Sequence, residues 1–239
     1  MTLPEWFVSA IDNAPEHHFV EVDGAKVHYS LWGDQLKPGL FFVHGYSANT
    51  NWWDFIAPHF LNDFCVVAVD LSGNGESDHR ENYSQELYAK ELKAVCEDRG
   101  WDSASFVAHS MGGSISLKAT SFFPEIFTQL ILLDSIVVVP PDKARTMGKS
   151  MIRADFYYET LNVAIDSFRL IPPQPCRNDY ILEHIAKNSF KETNDGWLLK
   201  SDGKMMKTYQ SSDLTDILMS PECPVYLVYG LMSQIFPAE

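Results

Sequence analysis

Five short, continuous apolar runs recur along the chain: Leu40-Phe41-Phe42-Val43, Cys65-Val66-Val67-Ala68-Val69, Phe106-Val107-Ala108, Leu130-Ile131-Leu132-Leu133 and Val225-Tyr226-Leu227-Val228-Tyr229. A run of this kind leaves neither alternate face polar, which suits a strand covered on both sides of a parallel sheet. Helical patterns stand between the runs. In Gln85 to Asp98, residues Leu87, Tyr88, Leu92, Val95 and Cys96 share one face, Ser84 can serve as N-cap, and Gly100 follows the end. Met111 to Phe123 reads as a second helix, stopped before Pro124. Ahead of these, His18 to Val22 and Lys26 to Trp32 alternate apolar with polar residues around Asp23-Gly24, an antiparallel hairpin. The expected fold class is α/β, with a mostly parallel central sheet flanked by helices.

At 239 residues the chain suits one large domain or a domain carrying an insertion. Residues 136–220 break the strand-helix alternation. This stretch opens with Pro140-Pro141, carries helical patterns at Lys143 to Tyr158 and Glu159 to Phe168, and passes through Pro172-Pro173-Gln174-Pro175 before a further helix at Asp179 to Ser189. It reads as an inserted helical lid, giving a core over 1–136, a lid over 137–218 and a resumed core over 219–239.

Charge and cysteine usage narrow the function classes. Asp plus Glu outnumber Lys plus Arg by 32 to 18, and a net charge of -14 repels phosphate backbones, so nucleic acid is a poor partner. Cys65, Cys96, Cys176 and Cys223 include no close pair of the kind a zinc or dithiol site needs, and they read as free thiols. No Lys or Arg precedes Lys26, and the longest apolar stretch, Leu130 to Val139, is broken by Asp134 and Ser135. A cytoplasmic protein without a membrane span is the expectation. Nothing in the sequence calls for a metal or organic cofactor.

The chemistry centres on Phe106-Val107-Ala108-His109-Ser110-Met111-Gly112-Gly113, where an apolar strand runs into a serine flanked by small residues and then into a helix. This is the layout of a nucleophile elbow, G-x-S-x-G with Ala108 in the first position. A helix N-terminus beside the hydroxyl favours developing negative charge. Upstream, Phe41-Phe42-Val43-His44-Gly45-Tyr46 ends another strand with a His-Gly pair that lets backbone approach a reacting centre. Between the two lies Val69-Asp70-Leu71-Ser72-Gly73-Asn74-Gly75, a Gly-x-Gly turn; Asp78 stands where a dinucleotide fingerprint needs its third glycine, so that reading fails.

These three motifs, in this order and each at a strand end, resemble the α/β-hydrolase fold with a lid, in particular bacterial serine esterases and related hydrolases. The resemblance spans about Phe19 to Phe236, and Gly196 to Asp202 is similar to the stretch that often closes the lid. It implies Ser110 as nucleophile and the backbone amides of Tyr46 and Met111 as the oxyanion hole. His44 and Gly45 would border the substrate, with His44 a hydrogen-bonding scaffold rather than a base, while His109 would point elsewhere. In many members the triad acid stands where this chain has Ser233, whose hydroxyl supplies no charge. Others draw the acid from the end of the strand after the nucleophile helix, which makes Asp134 the expected acid here.

The family's base is a His on a loop after one further strand. The chain stops at Glu239, and a missing helix, strand and loops need on the order of 30 residues, so a C-terminally truncated and nearly inactive chain is expected. Trp52 and Trp53 follow the oxyanion loop and either wall an acyl pocket or pack on the sheet; adjacent positions cannot both face inward, and Trp53 is the candidate wall, while Phe156, Tyr157, Tyr158 and Phe168 either line the entrance or pack the core of the lid. The implied reaction is acyl transfer from a small-molecule carboxylic ester. A serine at the elbow argues against dehalogenase or epoxide hydrolase chemistry, which in this fold uses an aspartate there. Thioesters, lactones and carbon-carbon bonds beside a ketone stay open, and a non-catalytic binding protein on the same fold is the competing class.

Overall fold

A computed structural model of the protein describes residues 3–135, 137 and 151–233. Helix α1 (Glu5–Ile11) leads into the hairpin β1 (Glu16–Val22) and β2 (Ala25–Trp32). Its two-residue turn holds Asp23 and Gly24 at φ 45° and 76°, the left-handed pair that such a connection requires. There follow β3 (Gly39–Val43), β4 (Cys65–Val69), α2 (Gln85–Arg99), β5 (Ala104–His109), α3 (Met111–Thr120) and β6 (Phe127–Leu133). After residue 150 come α4 (Leu161–Ser167), α5 (Asp179–Asn188), the hairpin β7 (Phe190–Thr193) and β8 (Gly196–Leu199), the short α6 (Met205–Thr208) and α7 (Thr215–Met219), and β9 (Val225–Val228).

One seven-stranded sheet has the order β1-β2-β4-β3-β5-β6-β9. The opening hairpin joins it antiparallel through β2 and β4, and every other pairing from β4 to β9 is parallel. Strands β3 and β4 are buried at every position, which is why their sequences are apolar without alternation. On one face Phe41 stacks on Phe106 at 4.7 Å beneath α2 and α3; on the other Phe42 stacks on Trp53 at 4.6 Å. Helix α2 is bounded as its sequence predicts, with Ser84 Oγ accepting the Leu87 N–H and Gly100 taking the left-handed position after Arg99. The four cysteines are free thiols, and burial pushes Cys96 up to about 12.

The segment between β6 and β9 departs from the helical pattern read in the sequence at the β7–β8 hairpin and over residues 152–158. Of the helix expected over Lys143–Tyr158, residues 143–150 lie outside the described residues, and 152–158 are not helical. This stretch takes its backbone bonds from the β7–β8 region instead: the Tyr158 and Trp197 amides exchange hydrogen bonds of 2.8 and 2.7 Å with each other's carbonyls, and the Arg153 N–H donates to Gly203 O at 2.8 Å. Helices α4 and α5 lie within the two other helical patterns. Met205 and Leu214, inside the stretch read as lid, pack into the main core. Among the described residues no helix is long and apolar enough to cross a membrane, and no group of three or more His, Cys, Asp and Glu side chains stands where it could hold a metal.

Candidate active site

Ser110 sits between β5 and α3 with φ 52° and ψ -119°, a backbone conformation that costs a residue with a side chain of order 1–3 kcal/mol. The surroundings hold it there. Its N–H donates to Leu133 O at 3.0 Å, and its carbonyl accepts the Gly113 N–H at 3.0 Å. The side chain is half-buried, and among the described residues its Oγ has no hydrogen-bond partner. Glycines make the bend possible: a Cβ on Gly112 would meet His44 O at 2.4 Å, and one on Gly113 would meet Ser135 Oγ at 2.1 Å. The first turn of α3 is thus wedged between the loop after β3 and the tip after β6.

The loop after β3 touches the serine directly. A Cβ on Gly45 would lie 3.1 Å from Ser110 Cβ and 3.0 Å from His109 Nδ1. His44 is 1 % exposed and fully engaged: its Nδ1–H donates to Gly45 O at 2.7 Å, and its Nε2 accepts the Leu71 N–H at 3.1 Å. This fixes the neutral tautomer, and burial holds its pKa below the ordinary histidine value. His44 therefore braces the loop. Among the described residues the amides of Tyr46 and Met111, on either side of the Gly45–Ser110 contact, have no acceptor.

Asp134 stands one residue beyond β6 at φ 47°, with its N–H bonded to Val228 O at 2.8 Å. Its Oδ2 accepts the Ser233 hydroxyl at 2.9 Å, while Oδ1 is buried and has no partner among the described residues. His109, beside Ser110 on the chain, is half-buried, with Trp52 stacked 6.4 Å from its ring. Burial lowers its pKa and the Asp134 carboxylate opposes that shift. All eight histidines lie among the described residues, and none hydrogen-bonds Ser110.

Trp53 is 5 % exposed and packed on Phe42 in the core; Trp52, at the end of the short helical turn that begins at Thr50, is the tryptophan that lines the cavity beside the Tyr46 loop. That cavity, of about 260 Å³, lies between the loop carrying Tyr46 and Ser47 and the segment after residue 150, where Phe156, Tyr158, Phe168 and Leu198 line it. Tyr157 is 44 % exposed and stands outside it.

Sequence reasoning passed over Asp70, which organises the ground beneath the loop. Asp70 is 1 % exposed; its Oδ1 accepts the Thr50 N–H at 2.6 Å, and its Oδ2 accepts the Glu76 N–H at 2.9 Å and the His28 Nδ1–H at 2.7 Å. His28 Nε2 in turn meets His17 Nδ1 at 3.0 Å. Burial would raise the Asp70 carboxyl, but the His28 hydrogen bond and charge and the Glu76 amide outweigh it and hold the pKa below the usual carboxylate value. Its position after β4, ahead of a Gly-x-Gly turn, was the available signal: a Cβ on Gly75 would strike the Asp70 carboxyl at 2.1 Å, so that turn exists to close over this residue.

The profile of the alpha/beta hydrolase fold matches residues 38–169, more than half of the chain. The chain belongs to the alpha/beta hydrolase fold family. Among curated relatives of this alpha/beta hydrolase, a mouse (Mus musculus) serine hydrolase-like protein is 34% identical over 117 residues, covering 48% of this chain and 38% of its own length. Human (Homo sapiens) epoxide hydrolase 4 is 28% identical over 49% of this chain and 34% of its own length. The chain thus spans less than half the length of either. The bifunctional esterase/perhydrolase DCH of Acinetobacter calcoaceticus is 25% identical over 91% of this chain and 82% of its own length. Among solved structures, a thioesterase domain from the curacin biosynthetic pathway superposes with a TM-score of 0.78 at 23% identity, covering 94% of this chain and 86% of that one, which is a likeness of fold.

Proposed function

We propose that this chain carries the nucleophile and oxyanion machinery of a serine hydrolase acting on small carboxylic esters. The observation that carries the reading is Ser110 itself: a serine held in a disfavoured backbone conformation at a strand-to-helix bend, its hydroxyl unbonded among the described residues, with Gly45 pressed against it. A serine here supports attack by an alkoxide and an acyl intermediate, rather than the carboxylate attack that opens epoxides in this fold.

In the proposed reaction Ser110 Oγ adds to the ester carbonyl as its proton passes to a base. The Tyr46 and Met111 amides hold the oxyanion of the tetrahedral adduct. Collapse expels the alcohol, which takes the proton, and water then releases the acid and regenerates Ser110. Asp134 Oδ1 is the acceptor that would orient the base. Since no histidine of this chain bonds Ser110, the base is a group these residues do not provide, and turnover by the chain itself should fall about 10⁴- to 10⁶-fold below a complete triad.

The same absence favours a second reading, a binding protein that never acylates. A fluorophosphonate probe separates the two. Covalent labelling that vanishes in Ser110→Ala supports the hydrolase; a folded protein that stays unlabelled at millimolar probe supports the binder.

A further inference from the structure

We propose that the cavity beside the oxyanion loop is a carboxylate site, and that the ester this protein takes carries a free carboxylate held by Arg153. The statement about the ester rests on the reading of Ser110 above; the statement about the carboxylate does not.

Among the described residues the guanidinium of Arg153 has no ion-pair partner: no carboxylate lies within 4 Å of it, although the chain as a whole carries 32 acidic residues against 18 basic ones. Its Nη2 donates to Ser201 Oγ at 2.6 Å and Ser47 Oγ at 3.3 Å, while its Nε is buried with no acceptor among the described residues. A buried charged donor left unpaired is costly, and the planar fork of an Arg matches the two oxygens of a carboxylate.

The surroundings hold Arg153 in the cavity wall. The Arg153 N–H is tied to Gly203 O, and a Cβ on Gly203 would meet Arg153 O at 2.6 Å, so the backbone cannot drift away. The guanidinium lies 6.0 Å from the Tyr46 ring, a cation–π contact that fixes its plane. Asp155 is the only carboxylate among the lining residues, and its Oδ2 lies 3.9 Å from Lys204 Nζ; Arg169 adds a second positive charge to the wall. Trp52, Phe156, Phe168 and Ile171 give the described lining an apolar side, and Ser47, Ser167 and Ser201 add hydroxyls to it. A carboxylate on a short hydrocarbon stem fits this composition, and a neutral acyl chain would leave Arg153 stripped of water and unpaired. Tyr46 belongs at once to the cavity wall and to the loop whose Gly45 abuts Ser110; Ser110 itself is not among the described lining residues, so the proposed substrate passes that loop to reach the nucleophile.

The test compares monomethyl succinate with methyl levulinate, in which a methyl replaces one carboxylate oxygen, by titration calorimetry on the 239-residue chain and its Ser110→Ala variant. The expected result is that the carboxylate binds about tenfold or more tightly than its isostere in both proteins, and that Arg153→Gln removes the difference. Arg153→Lys keeps the charge and loses the fork; it should retain only part of the preference, and it serves as the second variant should the Gln form not fold. Equal affinity for the two esters, or a preference unchanged in both Arg153 variants, overturns the proposal. Carboxylate binding without fluorophosphonate labelling of Ser110 would leave the site standing and remove the hydrolase reading, so the two failures are distinct.

Discussion

The hydroxyl of Ser233 donates to Asp134 Oδ2 across 2.9 Å, joining the two positions at which the resemblance to serine esterases would place the acid. One carries the charge and the other only orients it. Because Oδ1 of Asp134 is buried and unpartnered among the described residues, the carboxylate is set to receive one more N–H. Free imidazole should act as that missing donor and base. The Ser110-dependent release of p-nitrophenol from p-nitrophenyl acetate is expected to rise with imidazole, by on the order of 10² at saturation. Asp134→Asn should abolish this rescue while Ser233→Ala reduces it only a few-fold. Rescue of equal size in the Asn variant would show that Asp134 is not the orienting acid.

The backbone at Ser110 makes a separate prediction about stability. At φ 52° and ψ -119° a side chain is disfavoured, whereas glycine visits such regions freely. Ser110→Gly should therefore be more stable than Ser110→Ala by about 1–2 kcal/mol, after allowing for the extra freedom glycine gains in the unfolded chain. For a domain of this size that is a rise of roughly 2–8 °C in Tm. Both variants lose the nucleophile, so any difference between them reports the bend alone. Identical melting curves would mean the bend stores no strain.

Much of this architecture was legible because it is local. Strands β3 and β4 announce themselves through runs that are apolar on both faces, and the elbow through the small residues Ala108, Gly112 and Gly113 around Ser110. What stayed hidden depends on pairing across the chain. Asp70 gains its meaning only when β2 pairs with β4 and brings His28 to it over 42 positions. Arg153 is one cation among many until Ser47, Ser201 and Gly203 close around it. Residues 152–158 end a stretch whose sequence reads as helical, yet Tyr158 pairs its backbone with Trp197 and Arg153 with Gly203. The choice between Trp52 and Trp53 turned on a three-residue helical turn capped by Asn49, whose side chain accepts the Asn51 N–H, a rotation too small to read from adjacent identical residues.

Gly45 offers a way to disturb the site without touching the nucleophile. An alanine there would place Cβ at 3.1 Å from Ser110 Cβ and 3.0 Å from His109 Nδ1, closer than ordinary packing allows. Ser110 cannot yield readily, because its N–H is tied to Leu133 and the helix behind it is wedged by Gly112 and Gly113. The loop should move instead, carrying the Tyr46 amide with it. Gly45→Ala is expected to slow fluorophosphonate labelling of Ser110 by about 10²-fold, with loss of stability limited to about 1–3 kcal/mol. Unchanged labelling would place the oxyanion donors elsewhere.

Acid should loosen this fold through three of its histidines. His17, His44 and His109 all have pKa values held below the ordinary 6.5, in each case chiefly by burial; His28 adds to the shift at His17, and Asp54, Asp70 and Glu76 oppose it there. For a group whose folded pKa is depressed, the unfolded chain binds the proton first, so stability is fully present above the unfolded value and falls as pH drops below about 6.5. Asp70 is also depressed, so the stability it contributes lasts until pH falls below about 3.9. The melting temperature is therefore expected to be level in this respect above pH 7.5 and to decline between pH 6.5 and 5, with Asp70 still ionised. His17→Gln keeps a hydrogen-bonding group beside His28 and removes one of the three titrations, so its decline should be shallower than that of the unsubstituted chain. A wild-type Tm that holds steady from pH 7.5 to 5 would refute the assignment of these three imidazoles as neutral in the fold.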